Sequence, residues 1–91
     1  MLTLDECIGM SGLTEDEIAV VAEHQRVPEI VAAEIGHALL GTPKGIYTLR
    51  CWIVDLLERA VQTGKRDKAK HLDRILARFN AAHPTPRVLR T

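Results

Sequence analysis

Aromatic and sulfur side chains are both scarce in this chain, which holds one Trp, one Tyr, one Phe and two Cys among 91 residues. Cys7 and Cys51 are too few for a disulfide framework and stand at no metal-ligand spacing. They read as reduced thiols of a cytoplasmic protein, with a single Cys7–Cys51 bridge as the alternative. Long hydrophobic runs are missing as well. Nothing approaches the roughly 18 apolar residues of a membrane span, so no membrane partner is expected. The opening run MLTLDE lacks the basic start and apolar centre of a signal peptide. Few β-branched runs and many Ala, Leu, Glu and Arg favour helix over sheet. A chain of this length forms one domain that buries a bit over 60% of its unfolded surface, in an aliphatic core.

What is present is helical punctuation. Thr3 with Glu6 forms a capping-box pattern flanked by Leu2 and Cys7, and Ser11-Gly12 ends that short helix. The device returns eleven residues later, with Thr14 as cap, Glu17 as its partner and Leu13 with Ile18 as a hydrophobic staple. Acidic side chains in that first turn suit the helix dipole. The second helix spans about residues 15–25 and buries Ile18, Val21 and Ala22. Val27-Pro28 interrupts it, and Pro28 opens a third helix that runs to Leu40. Its apolar stripe is Val31, Ile35, Ala38 and Leu39, with Ala32 and Gly36 alongside for close approach. A last helix, about residues 66–82, buries Ala69, Leu72, Ile75, Leu76 and Phe79, and His83-Pro84-Thr85-Pro86 stops it. The expected fold is all-α: about five helices, the first short, in one domain over residues 1–83, with 84–91 a loose tail.

The helix before the last, residues 46–63, is the one the others pack around. At about 100° per residue, Ile46, Leu49, Ile53, Leu56, Leu57 and Ala60 line one side, and Tyr47, Val54 and Val61 widen the apolar arc to roughly half the circumference. Arg50 projects into that arc. A buried guanidinium needs a partner, and Glu34 or Glu23 is the expected carboxylate. Without one, Arg50 marks a surface for a second molecule.

The charge balance is zero overall but divided along the chain. Residues 1–45 carry eight acids and two bases (−6), and residues 46–91 carry four acids and ten bases (+6). Either the halves complement one another, within a molecule or between molecules, or the basic half meets an anionic partner. Lys65, Arg66, Lys70, Arg74 and Arg78 form the candidate anion-binding patch, extended by Arg87 and Arg90. Lys70, Arg74 and Arg78 are like charges at i, i+4 and i+8, a spacing that costs a few tenths of a kcal/mol per pair. No aromatic stands beside them to stack bases, which argues against single-strand binding.

The run from Cys7 through Val21 resembles the core of DNA-binding helix-turn-helix motifs. Gly12 matches the turn glycine, Leu13 the apolar residue after it, and Ile18 with Val21 the buried face of the second helix. The resemblance covers about twenty residues and implies a helix-turn-helix shape. It departs at Ile8, where the family has a small residue, and at Glu15, Asp16 and Glu17. Those three carboxylates stand on the turns that meet phosphates in the family, so DNA reading by this helix is not expected.

Three further patterns are weaker. Glu34-x-x-His37 has the spacing of a di-iron carboxylate bundle, but one copy of the motif falls short of a site, and neither metal nor cofactor is expected. The pair lies beside Ile30 and Ala33 and hints at a second contact face. His24, His71 and His83 have no ligand partner at a diagnostic spacing and read as surface histidines. Gly41-Thr42-Pro43-Lys44-Gly45 lacks the ending of a phosphate loop and reads as an interhelical turn, with Thr42 and Pro43 opening the next helix as the alternative. No nucleophile has a base at a recognisable offset. The expectation is a noncatalytic cytoplasmic interaction module, self-associating or docking a protein through a surface that includes Ile30, Glu34, His37, Arg50 and Trp52. The alternative is a nucleic-acid-associated regulator using the basic C-terminal helix.

Overall fold

The structure, a computed structural model, describes residues 12–84. Those residues form four helices: α1 Glu15–Gln25, α2 Glu29–Leu40, α3 Pro43–Gln62 and α4 Arg66–Ala82. No strand occurs among the described residues, and the all-α expectation holds. The short helix expected near Thr3, Cys7 itself and the tail beyond Pro84 lie outside the described residues.

α1 starts where its cap pattern places it. Thr14 Oγ1 accepts from the Glu17 amide at 3.2 Å, and Thr14 N donates to Glu17 Oε1 at 3.0 Å. This reciprocal pair satisfies two helix-end donors and lets Glu17 sit only 6% exposed. Gly12, in the expected turn, has φ +80°. The other end is less predictable. Arg26 takes the left-handed conformation (φ 55°), and Val27 N donates back to Ala22 O at 3.1 Å. This is the Schellman geometry that glycine usually supplies.

α2 is rolled relative to the expected stripe. Its buried positions are Ala32, Ala33 and Gly36, while Ile35 and Leu39 are half-buried and Val31 and Ala38 are exposed. The reason is steric. The side chain of Leu13 fills the space a Cβ on Gly36 would need, with Cδ1 1.9 Å from that position. Small residues admit the neighbour, and the larger branched ones are turned aside. Pro28 precedes the helix as its N-cap rather than being its first residue.

The run Gly41–Gly45 is only in part a turn. Thr42 caps α3, its Oγ1 accepting from Gly45 N at 3.0 Å, and Pro43 is the first helical residue. Lys44 and Gly45 are therefore helical. Gly45 lies against the α2 backbone: a Cβ there would stand 1.9 Å from the Leu39 carbonyl oxygen.

α3 contacts all three other helices. Its buried residues Leu49, Ile53, Leu56 and Ala60 join Ile18, Val20 and Val21 of α1, Ala32 and Ala33 of α2, and Leu72, Ile75 and Phe79 of α4 in one cluster with Leu13. Ala22, Ala69, Leu76, Ile46 and Leu57 pack at its margin. A turn at Gly64 (φ 74°) sends α4 back along α3.

Candidate interaction surfaces

Arg50 is held within the chain, but by no carboxylate among the described residues. Its Nε donates to Asn80 Oδ1 at 2.6 Å and its Nη2 to the His83 carbonyl at 2.7 Å, and its guanidinium carbon lies 5.7 Å from the Phe79 ring centroid. Both oxygens belong to the last turn and C-cap of α4, where unpaired carbonyls and the negative end of the helix dipole attract a cation. The expected partners are committed elsewhere or turned away. Glu23 pairs with Lys68 at 2.6 Å, and Glu34 is exposed on α2.

Trp52 also faces inward. It is half-buried on the α1 side of α3 and stacks on His24, with centroids 5.3 Å apart and planes at 16°. His24 is thus an interhelical residue rather than a surface one, its side chain 15% exposed. The Gln25 side-chain amide donates to Nδ1 at 2.8 Å, so Nε2 carries the proton and donates to Asp55 Oδ2, also at 2.8 Å. Asp55 in turn holds Arg59 at 2.9 Å. The sequence signal for this cluster was faint: His24 follows buried Val21 by three residues and shares the edge of its face.

On the opposite side of α3, away from the core, an apolar strip meets solvent. Tyr47 is 50% exposed and Val61 65% exposed, Cys51 is an exposed free thiol, Val54 is half-buried and Glu58 is exposed. These five positions follow one another at spacings of four, three, four and three, the repeat that keeps a helix seam facing one neighbour. Tyr47, Arg50, Cys51, Val54, Asp55 and Glu58 line a shallow groove along it. The sequence had marked Tyr47, Val54 and Val61 as a widening of the apolar arc; they form a separate outer face.

On α2, Ile30, Glu34 and His37 are exposed one helical turn apart. Among the described residues no group of three or more His, Cys, Asp or Glu is placed to hold a metal ion, so Glu34 and His37 gain no further ligand there.

The basic helix is split by its contacts. Lys68 pairs with Glu23, and His71 Nε2 lies 3.6 Å from Asp16, so two α4 side chains meet the acidic α1. The division of charge along the chain is in part answered within it. Lys65, Arg66, Lys70, Arg74 and Arg78 are exposed, and no ion pair joins them to another described residue. Among the described residues no helix is long and apolar enough to cross a membrane.

Neither a protein-family description, a curated protein nor a solved structure matches the chain.

Proposed function

We propose that this protein is a noncatalytic cytoplasmic interaction module whose working surface is the outer face of α3. The observation that carries this reading is the exposed strip of Tyr47, Cys51, Val54 and Val61 at seam spacing on a helix whose other side is already the core. Exposed single apolar residues are ordinary. A run of them at the period of helix packing is the arrangement another helix fits. The α2 face with Ile30, Glu34 and His37 supplies a second, smaller contact area, whereas Arg50 borders the α3 groove and Trp52, stacked on His24, takes no part in it.

A seam about 21 Å long, Tyr47 to Val61 at 1.5 Å per residue, falls at the low end of specific interfaces. Micromolar rather than nanomolar association is therefore expected. Light scattering from about 10 to 500 μM tests the reading. The expected result is a mass that rises above the monomer with concentration and returns to it in Val54→Glu. A monomeric mass across the range overturns self-association.

A second reading uses the outer face of α4. Arg66, Lys70, Arg74 and Arg78 follow at one-turn intervals and are unpaired among the described residues. That is the electrostatic footprint of a phosphate-backbone contact. Titration with duplex DNA and with RNA at low salt tests it, and absence of retention there removes it, because counterion release is strongest at low salt.

A further inference from the structure

We infer that the occupant of the α3 groove is a second copy of the chain, lying antiparallel about a two-fold axis beside Val54; this rests on the interaction reading above. Three observations select that arrangement over the parallel one.

The first is Glu58, the only charged residue within the strip. It is exposed and has no ion pair among the described residues. Parallel pairing sets Glu58 against Glu58 of the partner subunit inside the seam, a like-charge contact in a partly desolvated place. Antiparallel pairing separates the two carboxylates along the seam.

The second is Arg50, four residues before Val54 as Glu58 is four after it. About an axis at Val54 each lies roughly 6 Å along the helix from the centre. Arg50 therefore reaches the level of Glu58 of the partner subunit, and the pair occurs twice by symmetry. Arg50 lines the groove, and its bonds to Asn80 and His83 use only part of its guanidinium fork. The remaining donors stand beside the groove where a carboxylate would complete them.

The third is the match of bulk. Tyr47 and Val61 stand seven residues on either side of Val54, so each ring meets a Val61 of the partner subunit at the two ends of the seam, and Val54 meets its own counterpart at the centre. The parallel alternative stacks ring on ring at one end and leaves the other to two valines.

Cross-linking separates the possibilities, because the native thiol reports on the wrong geometry. In the antiparallel pair, Cys51 lies three residues from the axis, so the two copies are offset by about 9 Å along the seam, beyond the roughly 7 Å limit for a disulfide. In a parallel pair they face one another. The experiment compares Cys7→Ser, which retains Cys51, with the triple variant Cys7→Ser, Cys51→Ser, Val54→Cys, both mildly oxidised at a concentration where the wild-type mass exceeds the monomer. Circular dichroism confirms that each is folded. The expected result is a disulfide-linked dimer from the Val54→Cys chain and little from the Cys51 chain. Charge supplies an independent arm: Glu58→Arg sets arginines against each other and raises the dissociation constant at least about tenfold. Efficient cross-linking through Cys51, whether or not position 54 also cross-links, overturns the antiparallel inference while leaving the interaction reading intact. A wild-type monomer at every concentration overturns the second copy as occupant, and self-association with it. Unchanged association of Glu58→Arg also counts against the Arg50–Glu58 pairing.

Discussion

Gly45→Ala inverts an ordinary expectation. By helix propensity alone the change adds up to about 1 kcal/mol of stability. Geometry dictates the opposite sign. The new Cβ would stand 1.9 Å from the Leu39 carbonyl oxygen, 2.6 Å from its carbon and 2.7 Å from the Leu39 Cα. Unstrained carbon contacts begin near about 3.5 Å, so α2 and α3 must separate by more than an ångström. The obstacle is backbone on both sides, and no rotamer change relieves it. Overpacking of this kind costs about 1–3 kcal/mol or more. Taking the upper value less the propensity gain leaves a net loss of about 2 kcal/mol. For a domain of this size that lowers Tm by roughly 8–16 °C. Thermal melts followed at 222 nm, together with urea titration, measure it. Gly36→Ala is the internal comparison: its Cβ meets only the movable Leu13 side chain, so its loss is smaller. A Gly45→Ala chain that melts at or above the wild-type temperature refutes the close α2–α3 crossing.

Thr14→Ala removes the acceptor for the Glu17 amide and leaves that helix-end donor without its cap, while the Thr14 N–Glu17 Oε1 bond remains; a loss of about 1 kcal/mol in denaturant unfolding is expected. Arg26→Gly relieves a left-handed non-glycine residue, and after Gly's greater unfolded-state entropy is subtracted the same titration is expected to show a gain of roughly 0.5–1 kcal/mol; a loss would mean that the Arg26 side chain stabilises the fold. Arg50→Met keeps the aliphatic stem but removes the bonds to Asn80 and His83. It is expected to cost about 1–2 kcal/mol and to speed amide exchange in the last turn of α4 while α1 stays protected. Uniform exchange changes in both helices would contradict a local clamp.

What could be read in advance was whatever depends on neighbours in sequence. Thr14 and Glu17 announce the start of α1 because a capping box is complete within four residues. The Leu72, Ile75 and Phe79 stripe is visible because the remainder of α4 is charged. α2 offered no such contrast: Ile30, Val31, Ala32, Ala33 and Ile35 are apolar on almost every side, so periodicity could not choose its buried face. Leu13 chose it, through the missing side chain of Gly36. Arg50 was recognised as needing a partner, but a backbone carbonyl at the end of another helix has no sequence signature. The same holds for His24, whose role depends on Trp52 and Asp55, some thirty residues away. The outer strip on α3 was legible as excess apolar width, though not as a second face.

Arg50 touches two things at once: the groove on α3 and the closing turn of α4, from which residues 85–91 depart. Thermodynamic reciprocity makes that double contact consequential. Any occupant of the groove that binds better when the guanidinium is fixed also favours the ordered end of α4. By the same factor, whatever grips or displaces the chain beyond His83 alters affinity in the groove. A single side chain therefore links the outer face of the central helix to the closing turn of α4; in the self-association proposed above, the link is read as the change in dissociation constant of Asn80→Ala, which removes one of the two bonds.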